Sequence, residues 1–284
     1  TVHKLVELQP FEKESLAKKC AANPIEADFI IVDETSMLDI SIAAIFLQAI
    51  KNGTRVLFVG DENQLPSVKC GNFLHDIIAS KLFDVYELTK NYRQARDSSI
   101  INNSTLIKEG QNPVSNNDDF IVLDYDDNKR ARRKLEELVR DNYDLATPFD
   151  LQVIEPTNAD VYLTNKWVHN HVINDFDDNY ISIGLNDKVM FKTNNYEECD
   201  DGTLEILYAN GETGIVNYID DDEIIIDDGE NEKVLPTDII NDLTLAFSST
   251  IHKSQGSEYP LVYIYLPDNA SNMMTRALLY TAVT

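Results

Sequence analysis

The sequence predicts an α/β protein of two main domains, interrupted by a small all-β module. Three observations carry this. Short apolar runs alternate with stretches of helical spacing along most of the chain. A length of 284 residues suits about two domains of ordinary size. Residues 175–242 switch to closely spaced β-like runs and hold 20 Asp or Glu against three Lys, which is −17 of the total −25.

The elements follow in order. Asp28 to Val32 is a short apolar strand. Residues 39–50 have helical spacing, with Ile42, Ile45, Phe46 and Ala49 on one face. Arg55 to Val59 is a second strand, residues 71–80 a helix and Asp84 to Leu88 a strand. Helices are predicted at 97–109, 129–142, 158–174 and 273–283, and strands at Phe120 to Leu123, Leu151 to Ile154 and Leu261 to Leu266. Alternation of this kind implies parallel sheets covered on both faces, with ligands at the carboxyl ends of the strands. The acidic module reads as an antiparallel barrel or sandwich. Its runs are Lys188 to Lys192, Thr203 to Tyr208, Thr213 to Ile219 and Glu223 to Ile226, with turns at Asp201-Gly202, Asn210-Gly211 and Asp228-Gly229.

Composition excludes several classes. No apolar run approaches the roughly 18 residues a membrane span needs, and the charged opening TVHKLVELQPFEKE is no secretory leader. Cys20, Cys70 and Cys199 form no CxxC pair, so neither a zinc site nor a disulfide framework is expected, and a reduced cytoplasm is the default location. The net charge argues against a generally basic nucleic-acid binder. Outside the acidic module, 29 acids face 21 bases, which leaves room for a local basic track.

Four segments carry candidate chemistry. In IIVDETSM, Asp33 and Glu34 follow the last apolar residue of a strand, where one carboxylate can serve Mg²⁺ and the next can activate water. In FVGDENQLPSV, Asp61 and Gln64 follow the next strand, and Gln64 can hydrogen-bond a γ-phosphate or the attacking water. In LTKNYRQ, Arg93 offers the planar fork that binds phosphate bidentately. In STIHKSQGSEYPLVYI, Thr250, His252 and Ser254 offer phosphate contacts, while Gln255, Gly256 and Glu258 can face a nucleotide. Taken singly, each also fits an ordinary solvated loop. The basic run Lys129 to Lys134 reads as the exposed face of a helix burying Leu135, Leu138 and Val139, with a phosphate-backbone contact as the alternative. Trp167 reads as a packing residue on its helix.

Together these segments resemble superfamily 1 DNA helicases of the RecD/TraA-like branch, which includes exodeoxyribonuclease V alpha subunits. Asp33-Glu34 is similar to motif II, Gly60 to Val68 to motif III, Leu88 to Gln94 to motif IV and Thr250 to Glu258 to motif V. Thr1 to Leu5 looks like the end of motif Ia, and Leu278 to Thr284 like the start of motif VI. The resemblance runs through the whole chain in order. It implies two RecA-like P-loop NTPase domains, the first incomplete: 1–90 with motifs Ia, II and III, and 91–284 with motifs IV, V and the start of VI. It also implies an SH3-like acidic barrel inserted at 183–243.

The family's function is ATP- and Mg²⁺-driven movement on single-stranded DNA, generally 5′ to 3′, in recombination and repair. Carried over by position, Asp33 would serve Mg²⁺ and Glu34 would activate water, while Gln64 and Arg93 would sense the γ-phosphate. Gly256 and Glu258 would contact nucleotide, and His3, Pro66, Ser67, Thr250 and His252 would line the DNA path. RecB/RecC-like subunits are the expected partners, or none. No GxxxxGK[ST] loop is present, because none of the ten glycines is followed by Lys, and the motif VI arginine would come directly after Thr284. A fragment of a larger helicase, inactive alone, is therefore expected. A catalytically silent DNA- or partner-binding module is the alternative.

Overall fold

The computed structural model describes residues 1–8, 17–88, 98–116, 118–174, 182–198 and 204–284. The early elements are α1 (Val2–Leu5), β1 (Phe29–Val32), α2 (Ile40–Ala49), β2 (Arg55–Phe58), α3 (Phe73–Ser80) and α4 (Ser99–Lys108). Next come α5 (Asn128–Asn142), β3 (Leu151–Glu155) and α6 (Asn158–Val168). The all-β stretch holds β4 (Lys188–Phe191), β5 (Asn195–Glu198), β6 (Leu204–Tyr208), β7 (Thr213–Ile219), β8 (Glu223–Asp227), β9 (Glu232–Pro236) and β10 (Leu243–Leu245). The chain ends with β11 (Ser248–Thr250), α7 (Ile251–Ser254), β12 (Leu261–Ile264) and α8 (Arg276–Val283). Packing divides it into two units, 1–122 with 275–284, and 123–274.

In the first unit, β1 and β2 pair in parallel with Phe29 opposite Arg55 and Val32 opposite Phe58. The helix α2 starts where it does because Asp39 Oδ1 accepts from the Ser41 and Ile42 amides at 2.9 and 3.0 Å. Its Ile42, Ala43, Phe46 and Ala49 are buried. Ile30 and Val32 face that helix side of the core, but Phe29 and Ile31 are 53% and 61% exposed. Among the described residues, then, this sheet is covered on one face, where two were expected. Residues 84–88 and 120–123 form no ladder, and Tyr86 and Leu88 stand 86% and 90% exposed. Apolar content there favours extended chain, but a strand also needs a neighbour to bond.

The second unit centres on a parallel sheet in the order β11-β3-β12. The central strand β3 is buried along its whole length. Helix α5 buries Leu135 and Val139 against it, as the basic-faced helix requires, and Trp167 packs at the edge of the same core with Arg140 over its ring at 5.0 Å. Helix α6 ends earlier than the predicted 174 and passes into a π-helical turn, His169–Ile173.

The acidic module is an antiparallel sheet in the order β10-β4-β7-β8-β9, beside a β5-β6 hairpin. It is open: no ladder joins β9 to β10, which are connected by the 3-10 turn Thr237–Asp242. The expected barrel closure is thus not found among the described residues. Its core gathers Val189, Phe191, Tyr208, Val216, Ile224 and Ile226. Gly214 is required by close strand approach, since a Cβ there would lie 2.4 Å from Ile226 Cγ2. The predicted turns at Gly211 and Gly229 have φ of +90° and +94°. The predicted Asp201-Gly202 turn lies outside the described residues.

Lys188 ties β4 to the parallel sheet. Its ammonium, 1% exposed, donates to Pro148 O, Leu151 O and Gln152 Oε1 at 3.2, 3.2 and 3.0 Å. Burial pushes its pKa down to about 8, against a smaller upward pull from Asp150. Above that pH the folded unit has released a proton that the unfolded lysine, at 10.5, still holds. Stability should therefore rise from pH 8 towards 9.5, by up to about 1.4 kcal/mol per pH unit. Urea midpoints read from Trp167 fluorescence should show this slope, and Lys188→Met should remove it. Equal slopes in both proteins would contradict the assignment.

Candidate functional site

The first unit builds its candidate site from the two loops leaving β1 and β2. Asp33 follows β1 directly, and its Oδ1 accepts from the Glu34 amide at 2.8 Å. Glu34 has φ 50° and ψ 42°, a left-handed conformation that a non-glycine residue adopts at a cost. A 3-10 turn, Thr35–Met37, follows. Thr35 anchors the loop through its hydroxyl to Val32 O at 2.8 Å and its amide to Val59 O at 2.9 Å. Both carboxylates are thereby exposed at the carboxyl edge of the sheet. Ser36, two residues on, is buried and its hydroxyl has no hydrogen-bond partner among the described residues.

Gly60 brings the second loop against the first. A Cβ there would lie 2.9 Å from Leu74 Cδ2 and 3.1 Å from the amides of Thr35 and Ser36. Asp61 is then held by three donors: the Asn63 amide at 2.9 Å, Asn63 Nδ2 at 3.0 Å and the Tyr280 hydroxyl at 2.8 Å. The Gln64 amide donates to Asp61 O at 3.3 Å. Asp33, Glu34, Asp61 and Gln64 thus share one sheet edge.

Two residues here escaped the sequence reading. Tyr280 donates to Asp61 Oδ2, and Thr281 Oγ1 accepts from the Leu65 amide at 2.8 Å. Burial, then the bond to Asp61, pushes the Tyr280 phenol well above its ordinary range. The signal was the terminal LLYTAVT run, but nothing local links it to residues more than 200 positions earlier. A hydrogen bond to a charged acceptor contributes about 1.5–3 kcal/mol. Tyr280→Phe should therefore speed amide exchange in residues 61–65 at least roughly tenfold; unchanged protection would contradict the role.

The nucleic-acid candidates of this unit are close in sequence or in space. Partial burial and then the Lys69 cation hold the His3 imidazole below its usual range, so it is neutral near pH 7. Lys69 belongs to the loop that carries Pro66 and Ser67. Pro66 is exposed, but the Ser67 hydroxyl faces inward, 2.8 Å from Lys69 O and 3.2 Å from Gly71 O. Arg93 lies outside the described residues.

In the second unit, Thr250 closes β11 opposite Glu155. Its Oγ1 accepts from the Lys253 amide at 3.3 Å and starts α7, so this hydroxyl is largely buried. His252 is half-buried on α7. Gly256 has φ +80° with open space around it, in a turn closed by the Ser257 amide on Ser254 O at 3.0 Å. Glu258 is exposed just beyond.

A single carboxylate with open coordination suits Mg²⁺, which keeps waters and takes substrate phosphates where Ca²⁺ takes a protein cage. Asp33 fits, since its Oδ1 is engaged and its side chain faces solvent. No group of three or more metal-ligating side chains is found among the described residues.

Parts of the chain match known protein families. Residues 1–125 match the AAA domain family, and residues 245–284 match the UvrD-like helicase C-terminal domain. The whole chain aligns with the ATP-dependent RecD2 DNA helicase of Deinococcus radiodurans at 29% identity, covering 38% of that protein. It aligns with the RecBCD enzyme subunit RecD of Mycolicibacterium smegmatis at 26%, covering 53%. These matches support a fragment similar to the RecD-like branch of superfamily 1 helicases. Its α/β fold also matches the Pif1 helicase from Bacteroides bound to ADP-AlF3 and ssDNA, with a TM-score of 0.55, 19% identity and coverage of 100% and 75% of the two chains. The Candida albicans Pif1 helicase follows at 0.53 and 17%, covering 90% and 69%. The RecD-like chain spans about two fifths to about half the length of the two curated relatives named above. Among the described residues, no helix is long and apolar enough to cross a membrane.

Proposed function

We propose that this RecD-like chain is the motor portion of an ATP-dependent helicase or translocase that moves 5′ to 3′ on single-stranded DNA during recombination or repair. The observation that supports this most directly is the Gly60 contact, which holds Asp33-Glu34 against Asp61-Gln64 at one sheet edge. Residues 1–90 and 91–284 are then the two motor domains, and 183–243 an SH3-like insert. Asp33 would hold Mg²⁺, which when bound neutralises charge on the transferring phosphate. Glu34 takes a proton from the attacking water. Gln64 and Arg93 sense the γ-phosphate, and Gly256 and Glu258 contact the nucleotide. His3, Pro66, Ser67, Thr250 and His252 line the strand's path. Partners of the RecB/RecC kind are included in this reading, because several relatives are named RecBCD subunits, and the cytoplasm is its location.

With no glycine followed by lysine, the 284-residue chain by itself should neither hydrolyse ATP nor unwind DNA. Joining a phosphate-binding GxxxxGK[ST] segment from a RecD relative ahead of Thr1, and a motif VI segment after Thr284, should restore DNA-stimulated ATPase. Glu34→Gln should then lower turnover about 10²- to 10⁴-fold. A folded chimera that binds DNA without stimulated turnover would favour the silent-module reading.

A further inference from the structure

The second unit has an open cleft of about 410 Å³ that no described residue of the four motif-like segments lines. Lys129, Arg132 and Arg133 of α5, Asp160 of α6, and Tyr265 beyond β12 line it. It sits at the carboxyl end of the parallel sheet, where open α/β folds take their ligands. The three bases do different work. Arg132 is turned inward: Nη1 donates to Glu155 Oε1 at 2.9 Å and also meets Thr164, while Nη2 donates to Asp160 Oδ1 at 3.2 Å. Its guanidinium lies 4.2 Å from the Tyr265 ring centroid. Those bonds fix α5 but leave Arg132 little charge for a ligand.

Lys129 and Arg133 are exposed, on opposite sides of Arg132 in sequence, and neither pairs with a carboxylate among the described residues. This is notable in a chain with 49 acids and 24 bases. On the same helix, Lys134 pairs with Glu137 at 3.2 Å. Lys129, in the first turn of α5, also opposes the helix dipole at a cost in stability. A bound anion would offset that cost. Glu136 also lines the cleft; burial pushes its pKa up, against downward pulls from Arg132, His171, Arg140 and Arg133.

We propose that this cleft is a phosphate subsite for the backbone of single-stranded nucleic acid, with Lys129 and Arg133 as its ligands and Arg132 as the buttress that holds their helix. The inference rests on the proposed DNA-binding function for its choice of phosphodiester, but its anion chemistry can be tested separately.

The experiment measures oligo-dT binding by the 284-residue chain across a salt series, and inorganic pyrophosphate binding by calorimetry. Each phosphate contact to a single strand contributes about 0.7 to the slope of log K against log salt. Lys129→Ala/Arg133→Ala should therefore flatten the slope by about 1.4. The double variant should also lose pyrophosphate binding while keeping wild-type Trp167 fluorescence. Lys51→Ala, which removes a surface ion pair with Glu26 in the first unit, should leave both readouts unchanged. An unchanged slope in the double variant overturns the proposal. If the wild-type chain binds no oligo-dT, the proposed function fails and the pyrophosphate arm decides alone. Pyrophosphate binding lost in the double variant then sustains the anion site, and absence of binding to wild type, or binding retained in the variant, overturns it.

Discussion

Arg132→Ala should lower the unfolding free energy of the 123–274 unit by about 3 to 5 kcal/mol, the cost of leaving a buried charge without its partner. Glu155 has no exposed surface and ends the central strand of the parallel sheet. Its Oε1 meets Arg132 at 2.9 Å and Thr164 at 3.0 Å, and its Oε2 accepts from Ser248 at 2.6 Å. Burial pushes its carboxyl pKa up, and Arg132 supplies the largest opposing pull. Without the guanidinium, the folded pKa rises further above the unfolded 4.5. A carboxyl raised in this way is destabilising once the unfolded state ionises, so the deficit of the variant should widen between about pH 4 and 7. Urea titration read from the single Trp167, which packs on the same core, measures it. Arg132→Lys should recover only part, because an ammonium cannot bridge Glu155 and Asp160 as a fork does. Arg132→Met with Glu155→Gln should recover more than either single change, since the uncompensated charge is gone. A deficit below about 1 kcal/mol at pH 7 would contradict this account of the network.

Phe46→Ala should cost the first unit about 3 to 5 kcal/mol. Phe46 is fully buried on the inner face of α2. It meets Phe58 edge-on at 6.3 Å, and Phe58 meets Phe73 of α3 at 5.3 Å and 75°. The loss should be large because Phe46 is fully buried and its ring fills the space between α2 and the sheet, so truncation leaves a cavity. The effect reaches the candidate site as well, since β1 and β2 deliver Asp33 and Asp61. Amide exchange in residues 29–33 and 55–61 should accelerate with the fall in stability, and Phe46→Leu should retain most of the protection. A loss under about 1.5 kcal/mol would mean that Phe46 is not the keystone of this core.

How much of this was legible follows from the range of each interaction. The α2 face, the turns at Gly211 and Gly229 and the strand ends at Asp33 and Asp61 are written within a few residues of one another. The order of helicase motifs is likewise linear. The strands expected at 84–88 and 120–123 are absent because apolar alternation specifies an extended chain but not a partner for its backbone groups. Barrel closure required β9 and β10 to meet, which no local pattern dictates.

The sequence by itself therefore determined the class of the chain, the order of its candidate segments and the exposed, basic face of α5. Tertiary structure alone decided which of those bases turns inward: Arg132 reaches partners 23 to 32 residues away, while Lys129 and Arg133 stay at the cleft. It alone joined Tyr280 to Asp61 across 219 positions and buried Lys188 against the sheet. The physical reason is the same in each case. A side chain's charge and shape are local properties, but its desolvation and its partner depend on which distant backbone the fold brings beside it.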